Sequence, residues 1–401
     1  MYGLEFWYKL QELEDELKSN ENAYNLLQRI KEKQGTSNEA AIFAATKINK
    51  EEVLQKIEEI IIQFLECIAN DTLPKFLFNK RGSFSNTTYS NERGMQMVND
   101  VALQEVSLEN ESSVKKYAVM MSCLQTVYSL IQSGKHATKR DIYYSNVNFF
   151  KTQRVVDEAI SDISCMLCIP RHSLNVLSSS KGFVGGNLSF KDAEKNIVNC
   201  NVNEGVQVPC YVDGLNNFES NAKFVLIIEK EAIYKRLLEE KINEKIGPCI
   251  LITGKGFPDI NTRMLIRKLW QGLHIPILAL VDADPHGIEI MCVHRFGSKA
   301  LSHEASYLTC PVIRWLGVLP KDVNEVNIKE DQLIKLSDND RKKANDMIKR
   351  TYISSNPAIL DQMKLMLEKG FKAEIECFDS ISRSFLTDIY LPHKIKNGDW
   401  I

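Results

Sequence analysis

The sequence predicts a multidomain α/β (α+β) protein: a helical extension, then a helical domain, then a domain built on a parallel sheet. Three observations predict it. A length of 401 residues accommodates two domains of ordinary size plus an extension. The first half is dominated by apolar residues at helical spacing. The second half alternates short apolar runs with helical segments, the pattern of a β-α-β-α-β chain.

Taken in order, Trp7, Leu10, Leu13 and Leu17 form a short amphipathic stripe, and Lys31 to Glu39 is polar, so residues 1–48 read as the extension. A stronger helix follows, with Val53, Ile57, Ile60, Ile61, Phe64 and Ile68 recurring at helical spacing. It is too apolar on one side to stand alone in water and packs either on its own domain or on a partner. Tyr117 to Ile131 forms another periodic helix, ended by Gly134. Thr138 and Asp141 have the spacing of a capping box, which starts a helix running through Tyr144. A further helix spans about Gln153 to Leu167 and stops before Pro170. Ser173 to Phe190, with Gly182, Gly185 and Gly186 between β-like pieces, suits a hairpin. Three helices and a hairpin are the order of a winged helix-turn-helix unit, whose third helix or wing commonly meets DNA. This domain is placed at residues 49–200.

Beyond a polar stretch at about Asn196 to Asn221, the runs Phe224 to Ile228, Cys249 to Ile252 and Pro276 to Val281 fit buried parallel strands. Helical segments at about Asp338 to Arg350 and within Ala358 to Ile381 would cover the sheet. This domain is placed at residues 215–401.

Composition excludes several classes. No apolar run approaches the roughly 20 residues of a membrane-spanning helix, and no secretory or transit signal is evident, so an intracellular protein without membrane partners is expected. Ten cysteines, several within apolar runs, read as reduced core residues. The spacing of Cys165 and Cys168 lacks the second pair or the histidines that would complete a zinc site. A net charge of −2 rules out a protein coated in basic residues. DNA binding needs only a local positive surface, and Lys135, Lys139, Arg140, Lys151 and Arg154 supply one against a single acid, Asp141.

Three acids stand at strand ends: Glu229 after the first run, Asp282 and Asp284 after the last. Ligands bind at the C-terminal edge of a parallel sheet, so these carboxylates can converge there, and such hard oxygens suit Mg²⁺. A lone Asp-x-Asp would also serve a turn; the matching position of Glu229 favours the metal. Gly254-Lys255-Gly256 fails as a nucleotide loop, because Cys249 and Gly256 stand where glycine and a hydroxyl residue are required. It reads either as a turn near phosphate with Phe257 stacking on DNA, or as a tight turn with Phe257 in the core. Tyr143 and Tyr144 are candidate nucleophiles. Arg140, one helical turn before Tyr144, could hold a phosphate.

Together Thr138-Lys139-Arg140-Asp141-Ile142-Tyr143-Tyr144, Ser180-Lys181-Gly182, Ile228-Glu229-Lys230-Glu231-Ala232, Gly254-Lys255-Gly256-Phe257-Pro258-Asp259 and Asp282-Ala283-Asp284-Pro285-His286-Gly287 closely resemble topoisomerase VI A subunits and their meiotic double-strand-break relatives. The resemblance continues through Phe296-Gly297-Ser298, Trp315-Leu316-Gly317 and Lys372-Ala373-Glu374-Ile375. It implies a winged-helix domain followed by a Toprim domain. It implies Tyr144 as nucleophile with Arg140 beside it, Glu229, Asp282 and Asp284 as Mg²⁺ ligands, and Lys181 and Phe257 as DNA contacts. The implied activity is a DNA transesterification that leaves a 5′-phosphotyrosyl link and starts meiotic recombination. The alternatives are the A component of a type IIB topoisomerase, which reseals its breaks, and a non-catalytic DNA-binding scaffold. The implied partners are double-stranded DNA, a second copy of the chain when on DNA, and a topoisomerase VI B-like subunit or other meiotic accessory protein. The implied location is the nucleus, on chromosomes.

Overall fold

The computed structural model describes residues 48–98, 102–109, 111–326, 328 and 332–401. The stripe from Trp7 to Leu17, and the extension as far as residue 47, lie outside the described residues. The chain divides into two compact units. Of the described residues, the helical unit takes in 48–179 and 297–309, and the unit that carries the large sheet takes in 180–296 and 310–401.

In the helical unit, α1 (Lys50–Ala69) buries Val53 and Ile57, with Ile60 and Phe64 packed against the same core. Ile68, read from sequence as part of that stripe, is exposed near the end of the helix, as are Ile62 and Leu65. Strands β1 (Lys75–Asn79) and β2 (Leu103–Ser107) pair antiparallel. Helix α2 (Glu111–Ser133) presents Met120, Cys123, Leu124, Val127 and Ile131 to the core at three- and four-residue spacing, and Gly134 follows it with φ +66°. A two-residue strand β3 (Ala137–Thr138) leads into α3 (Lys139–Ser145). Here the expected capping box is present: Thr138 Oγ1 accepts from the Asp141 amide and Asp141 accepts from the Thr138 amide. Helix α4 (Gln153–Leu167) buries Val156, Ala159, Ile160 and Ile163, and Cys168 closes it in a left-handed conformation.

The expected hairpin within Ser173 to Phe190 does not form. Val176–Leu177, β4, pairs in parallel with β3. Phe183–Gly186, β5, crosses into the large sheet, where it pairs antiparallel with β8 (Cys249–Thr253). The glycines there serve close approach. A Cβ on Gly186, at φ +85°, would lie 2.5 Å from the Cys249 carbonyl oxygen, and one on Gly185 would lie 2.6 Å from Tyr234 Oη. The units divide at Ser179/Ser180, ahead of the polar stretch at about 196–221 where the sequence places the domain boundary.

The sheet has six strands, in the order β6 (Val206–Gln207), β5, β8, β7 (Phe224–Ile228), β9 (Ile277–Leu280), β10 (Arg314–Gly317). The last four run parallel: β7, β8 and β9 are the three strands expected, β10 is a fourth that was not read from the sequence, and β5 and β6 are added by antiparallel pairing. Every residue of β7, β8 and β9 is buried, which explains why they read as continuous apolar runs. Helices α5 (Glu231–Glu239), α6 (Ile260–Leu273), α7 (Pro285–Phe296), α8 (Asp338–Ile348) and α9 (Pro357–Lys369) are the longest of the helices in this unit.

Candidate metal and DNA site

Because β7 and β9 are hydrogen-bonded neighbours in parallel register, the residues just past their ends meet. The Asp282 amide donates to Glu229 Oε2 over 2.9 Å. Asp282 Oδ1 accepts from the Ile375 amide at 2.9 Å, and Oδ2 lies 3.1 Å from Lys230 Nζ. Asp284 Oδ1 accepts from the Gly287 amide at 2.6 Å, tying it to the first turn of α7. Glu229 and Asp282 are only 9% and 5% exposed, so neither carboxylate has bulk water to solvate it. Burial, and then repulsion from Asp282, push the Glu229 carboxyl up to about 7. Asp282 rises to about 6, again chiefly through burial, although the Ile375 amide and Lys230 oppose it.

Lys230 supplies a cation inside this arrangement, and Asp282 turns to it. Its Nζ also reaches Glu376 Oε2 at 2.7 Å and Glu374 Oε2 at 3.1 Å. Burial works against its charge, but Glu376, Asp282 and Glu374 together raise its pKa. Lys230 and the segment around Ile375 were not assigned roles from sequence. The signals were a lysine directly after the strand-end acid and two acids spaced by two residues, Glu374 and Glu376, far along the chain.

No group of three or more His, Cys, Asp or Glu side chains is closed around a metal position among the described residues. Mg²⁺ does not require such closure, since it keeps several waters and takes only one or two carboxylates plus substrate phosphates. The donor set fits such an ion. It is all oxygen, crowded and poorly solvated, so a divalent cation would offset the burial that chiefly raises both pKa values and the repulsion that adds to it.

The turn Gly254 to Asp259 is fastened to the same edge, because the Gly256 amide donates to the Glu229 carbonyl at 2.9 Å. Phe257 is 44% exposed, so the core reading of this residue gives way to the outward one. Asp259 caps α6 by accepting from the Thr262 amide, and its other oxygen accepts from the amides of Lys181 and Gly182 at 2.8 and 3.1 Å. Lys181 Nζ lies 3.4 Å from the Lys255 carbonyl. Five of the residues singled out from sequence, Lys181, Glu229, Phe257, Asp282 and Asp284, thus belong to the sheet-bearing unit.

Tyr144 and Arg140 belong to the helical unit, both exposed on α3 one turn apart. Tyr144 is 64% exposed, whereas Tyr143 is half-buried and packs on the helical core, their rings 5.2 Å apart. The basic stretch around them is smaller than its sequence suggests. Lys139 turns inward to Asp157, 3.6 Å away, and burial, followed by the charge of Arg171, lowers its pKa to about 8. Arg154 pairs with Glu158 at 2.8 Å. Lys135, Arg140 and Lys151 stay exposed.

Residues 224–395 match the family model for the Toprim domain shared by Spo11 and the A chain of topoisomerase 6, and residues 115–176 match that described as "Type IIB DNA topoisomerase". A winged-helix-like domain joined to a Toprim domain places the chain in the class of type IIB topoisomerase proteins. It is 43% identical over 351 residues to "Meiotic recombination protein SPO11" of Homo sapiens, covering 87% of this chain and 89% of that protein. The Mus musculus protein of the same name is 42% identical over 359 residues, covering 89% and 91%. The A chain of DNA topoisomerase 6 of Arabidopsis thaliana is 34% identical over 351 residues, covering 87% and 81%. The chain belongs to the family of Spo11 and the A chain of topoisomerase VI. No described helix is long and apolar enough to cross a membrane.

Proposed function

We propose that this chain makes meiotic double-strand breaks in DNA, with Tyr144 as the nucleophile. The observation that carries the proposal is an exposed tyrosine on a capped helix, one turn after Arg140, in a chain 43% identical to a meiotic recombination protein. Tyr144 Oη attacks a backbone phosphorus in line. The Oη–P bond forms as the bond from phosphorus to the sugar 3′ oxygen breaks, leaving a 5′-phosphotyrosyl link and a 3′ hydroxyl. One phosphodiester replaces another, so cutting itself needs no ATP. Arg140 holds the phosphate and balances charge developing on its oxygens. Glu229, Asp282 and Asp284 would hold Mg²⁺, which supplies Lewis-acid stabilisation of phosphate charge. Lys181 and Phe257 contact the DNA beside them, one by charge and one by stacking.

Cutting both strands requires two copies of the chain related by a two-fold axis like that of duplex DNA. A topoisomerase VI B-like subunit or another meiotic accessory protein is the further partner, and the exposed Ile62, Leu65 and Ile68 on α1 suit such a contact. The protein acts in the nucleus, on chromosomes. A second reading, the A component of a topoisomerase VI that reseals its breaks, draws on the 34% identity to the Arabidopsis thaliana protein. Plasmid relaxation with a B-type partner separates the two, since net relaxation requires religation. The deciding experiment for the chemistry is labelled duplex DNA incubated with the protein, denatured in detergent, and the linked residue identified by mass spectrometry. A peptide carrying nucleotide on Tyr144 is expected; DNA that is cut but never linked to protein overturns the proposal.

A further inference from the structure

We propose that Asp259 is the positioning residue for Lys181: the carboxylate oxygen left over from capping α6 fixes the backbone of Lys181 and Gly182, and so aims the lysine at DNA phosphate. The inference rests on reading Lys181 as a DNA contact.

A helix cap needs one oxygen, and Ser or Asn supplies it as well as Asp. At Asp259 that oxygen is Oδ1, which accepts from the Thr262 amide at 2.8 Å. Oδ2 is left over. It accepts from the Lys181 and Gly182 amides at 2.8 and 3.1 Å, the first of these contacts closing over 78 residues of chain. Both amides precede Phe183, where β5 and its ladder begin. Two adjacent amides converging on one oxygen set the course of the backbone that carries the lysine.

Further contacts press the same segment into place. The Gly182 carbonyl accepts from the Val208 amide at 2.9 Å, and the Ser180 carbonyl accepts from Gln207 Nε2 at 2.6 Å. A Cβ at Gly182 would collide with Thr262 Oγ1 and stand 3.0 Å from the Thr253 carbonyl oxygen, so the segment lies directly against the first turn of α6. At the other end of the Phe257 turn, the Gly256 amide is held by the Glu229 carbonyl. Hydrogen-bonded backbone thus runs from the strand-end acid, through the turn, to Lys181. The Lys181 ammonium stays beside that turn, its Nζ 3.4 Å from the Lys255 carbonyl, a long contact that a phosphate oxygen can replace. Fixing the backbone beforehand leaves less freedom to be lost when phosphate binds.

The test measures binding of the full chain to a duplex oligonucleotide in Mg²⁺ at several KCl concentrations, for Asp259→Ser, Lys181→Met, Phe257→Ala and the double variants. Serine still caps α6 but is too short to reach the Lys181 and Gly182 amides. The melting temperature should therefore fall by no more than about 4 °C, while amide hydrogen exchange at residues 181 and 182 quickens. Asp259→Ser should weaken binding and make the slope of log affinity against log salt shallower by up to about 0.9 per bound chain, the value of one phosphate contact. Loss of the carboxylate charge alone would act in the opposite sense, strengthening binding to a polyanion. Lys181→Met should weaken wild-type binding about tenfold, yet less than about twofold in the Asp259→Ser background. Phe257→Ala should have the same effect in both backgrounds, because its turn is fastened separately through Gly256 and Glu229. Tighter binding in Asp259→Ser, or a Lys181→Met effect that is as large there as in the wild type, overturns the positioning role alone. Equal shrinkage of the Lys181 and Phe257 effects overturns it in favour of a general loosening of the site. If Lys181→Met changes nothing in the wild-type chain, the reading of Lys181 as a DNA contact has failed, and the positioning role with it.

Discussion

Gly287 lies against the Glu229 carboxylate so closely that a Cβ at position 287 would stand 2.8 Å from Oε2 and 2.5 Å from the Asp282 carbonyl oxygen. Both are fixed atoms: Oε2 is held by the Asp282 amide, and the carbonyl belongs to the loop that carries the acids. Gly287→Ala should therefore displace the acid loop rather than a flexible side chain. We expect a loss of about 1–3 kcal/mol in stability, the usual range for overpacking, together with loss of DNA cleavage. Thermal unfolding beside a cleavage assay checks this; wild-type cleavage in Gly287→Ala would show that the crowding does not constrain the site.

Tyr144→Phe removes one exposed hydroxyl and should leave folding and DNA binding nearly intact while abolishing covalent adducts. Tyr143 is half-buried against the helical core, and Tyr143→Phe keeps its ring, so adducts should persist within a few-fold of wild type. Adducts that survive in Tyr144→Phe and vanish in Tyr143→Phe would move the nucleophile by one residue.

Mg²⁺ should raise the melting temperature of the unliganded protein, because an ion that binds only the folded state stabilises it by mass action. Glu229→Gln, lacking one charged ligand, should lose most of that shift and most Mg²⁺-dependent cleavage. Its own melting temperature without metal should not fall below wild type by more than a degree or two, since it also removes a buried charge that repels Asp282. A full Mg²⁺ shift in Glu229→Gln, or full cleavage in excess chelator, contradicts the assignment.

These acids were legible in the sequence for a physical reason. A buried parallel strand reads as an unbroken apolar run, and its C-terminal end marks where a polar side chain can emerge, as at Glu229 and Asp282. The capping box at Thr138 and Asp141 was legible because its partners are three residues apart. Contacts closed over long sequence distance were not. Phe183–Gly186 looked like half of a hairpin because glycine marks both turns and close backbone approach, and only its partner, Cys249–Thr253, tells which. Lys181 and Asp259 are 78 residues apart, and nothing local to either names the other. Gly297–Thr309 returns to the helical unit from the second half of the chain, which no local pattern announces.

That returning segment carries Glu304, buried beside Ser164 at 3.2 Å and His303 Nε2 at 3.4 Å. Burial alone would raise its pKa, but His303 and the charges of Arg171 and His172 hold it down at about 2. A carboxylate depressed from its ordinary value of 4.5 contributes stability that is fully present above about pH 4.5 and lost as the pH falls towards 2. Glu304→Gln removes the charge beside His303 and one of the two carboxylates, the other being Asp157, that offset the burial of Arg171, and should cost about 1–3 kcal/mol near neutral pH. The gap between wild type and variant should shrink as the pH is lowered from about 5 to about 2. A gap that is constant over that range would show that the charge of Glu304 contributes nothing.

The last prediction concerns how two copies share the chemistry. Tyr144 and the acids Glu229, Asp282 and Asp284 lie in different compact units of the chain, and a double-strand cut needs two equivalent sites on two-fold symmetric DNA. We expect Tyr144 of one copy to work with Glu229, Asp282 and Asp284 of the other. Chains carrying Tyr144→Phe are mixed with chains carrying Glu229→Gln, each inactive as a homodimer, and mixed dimers are purified through two different tags. If sites are shared, one site in the mixed dimer combines an intact tyrosine with intact acids, and the other combines both defects. One strand should be nicked at about half the wild-type number of cuts, with the adduct only on the Glu229→Gln chain. If each copy instead supplied a complete site of its own, both sites would carry one defect and no strand would be cut. Purified mixed dimers that bind DNA normally yet never nick it would reject the shared arrangement.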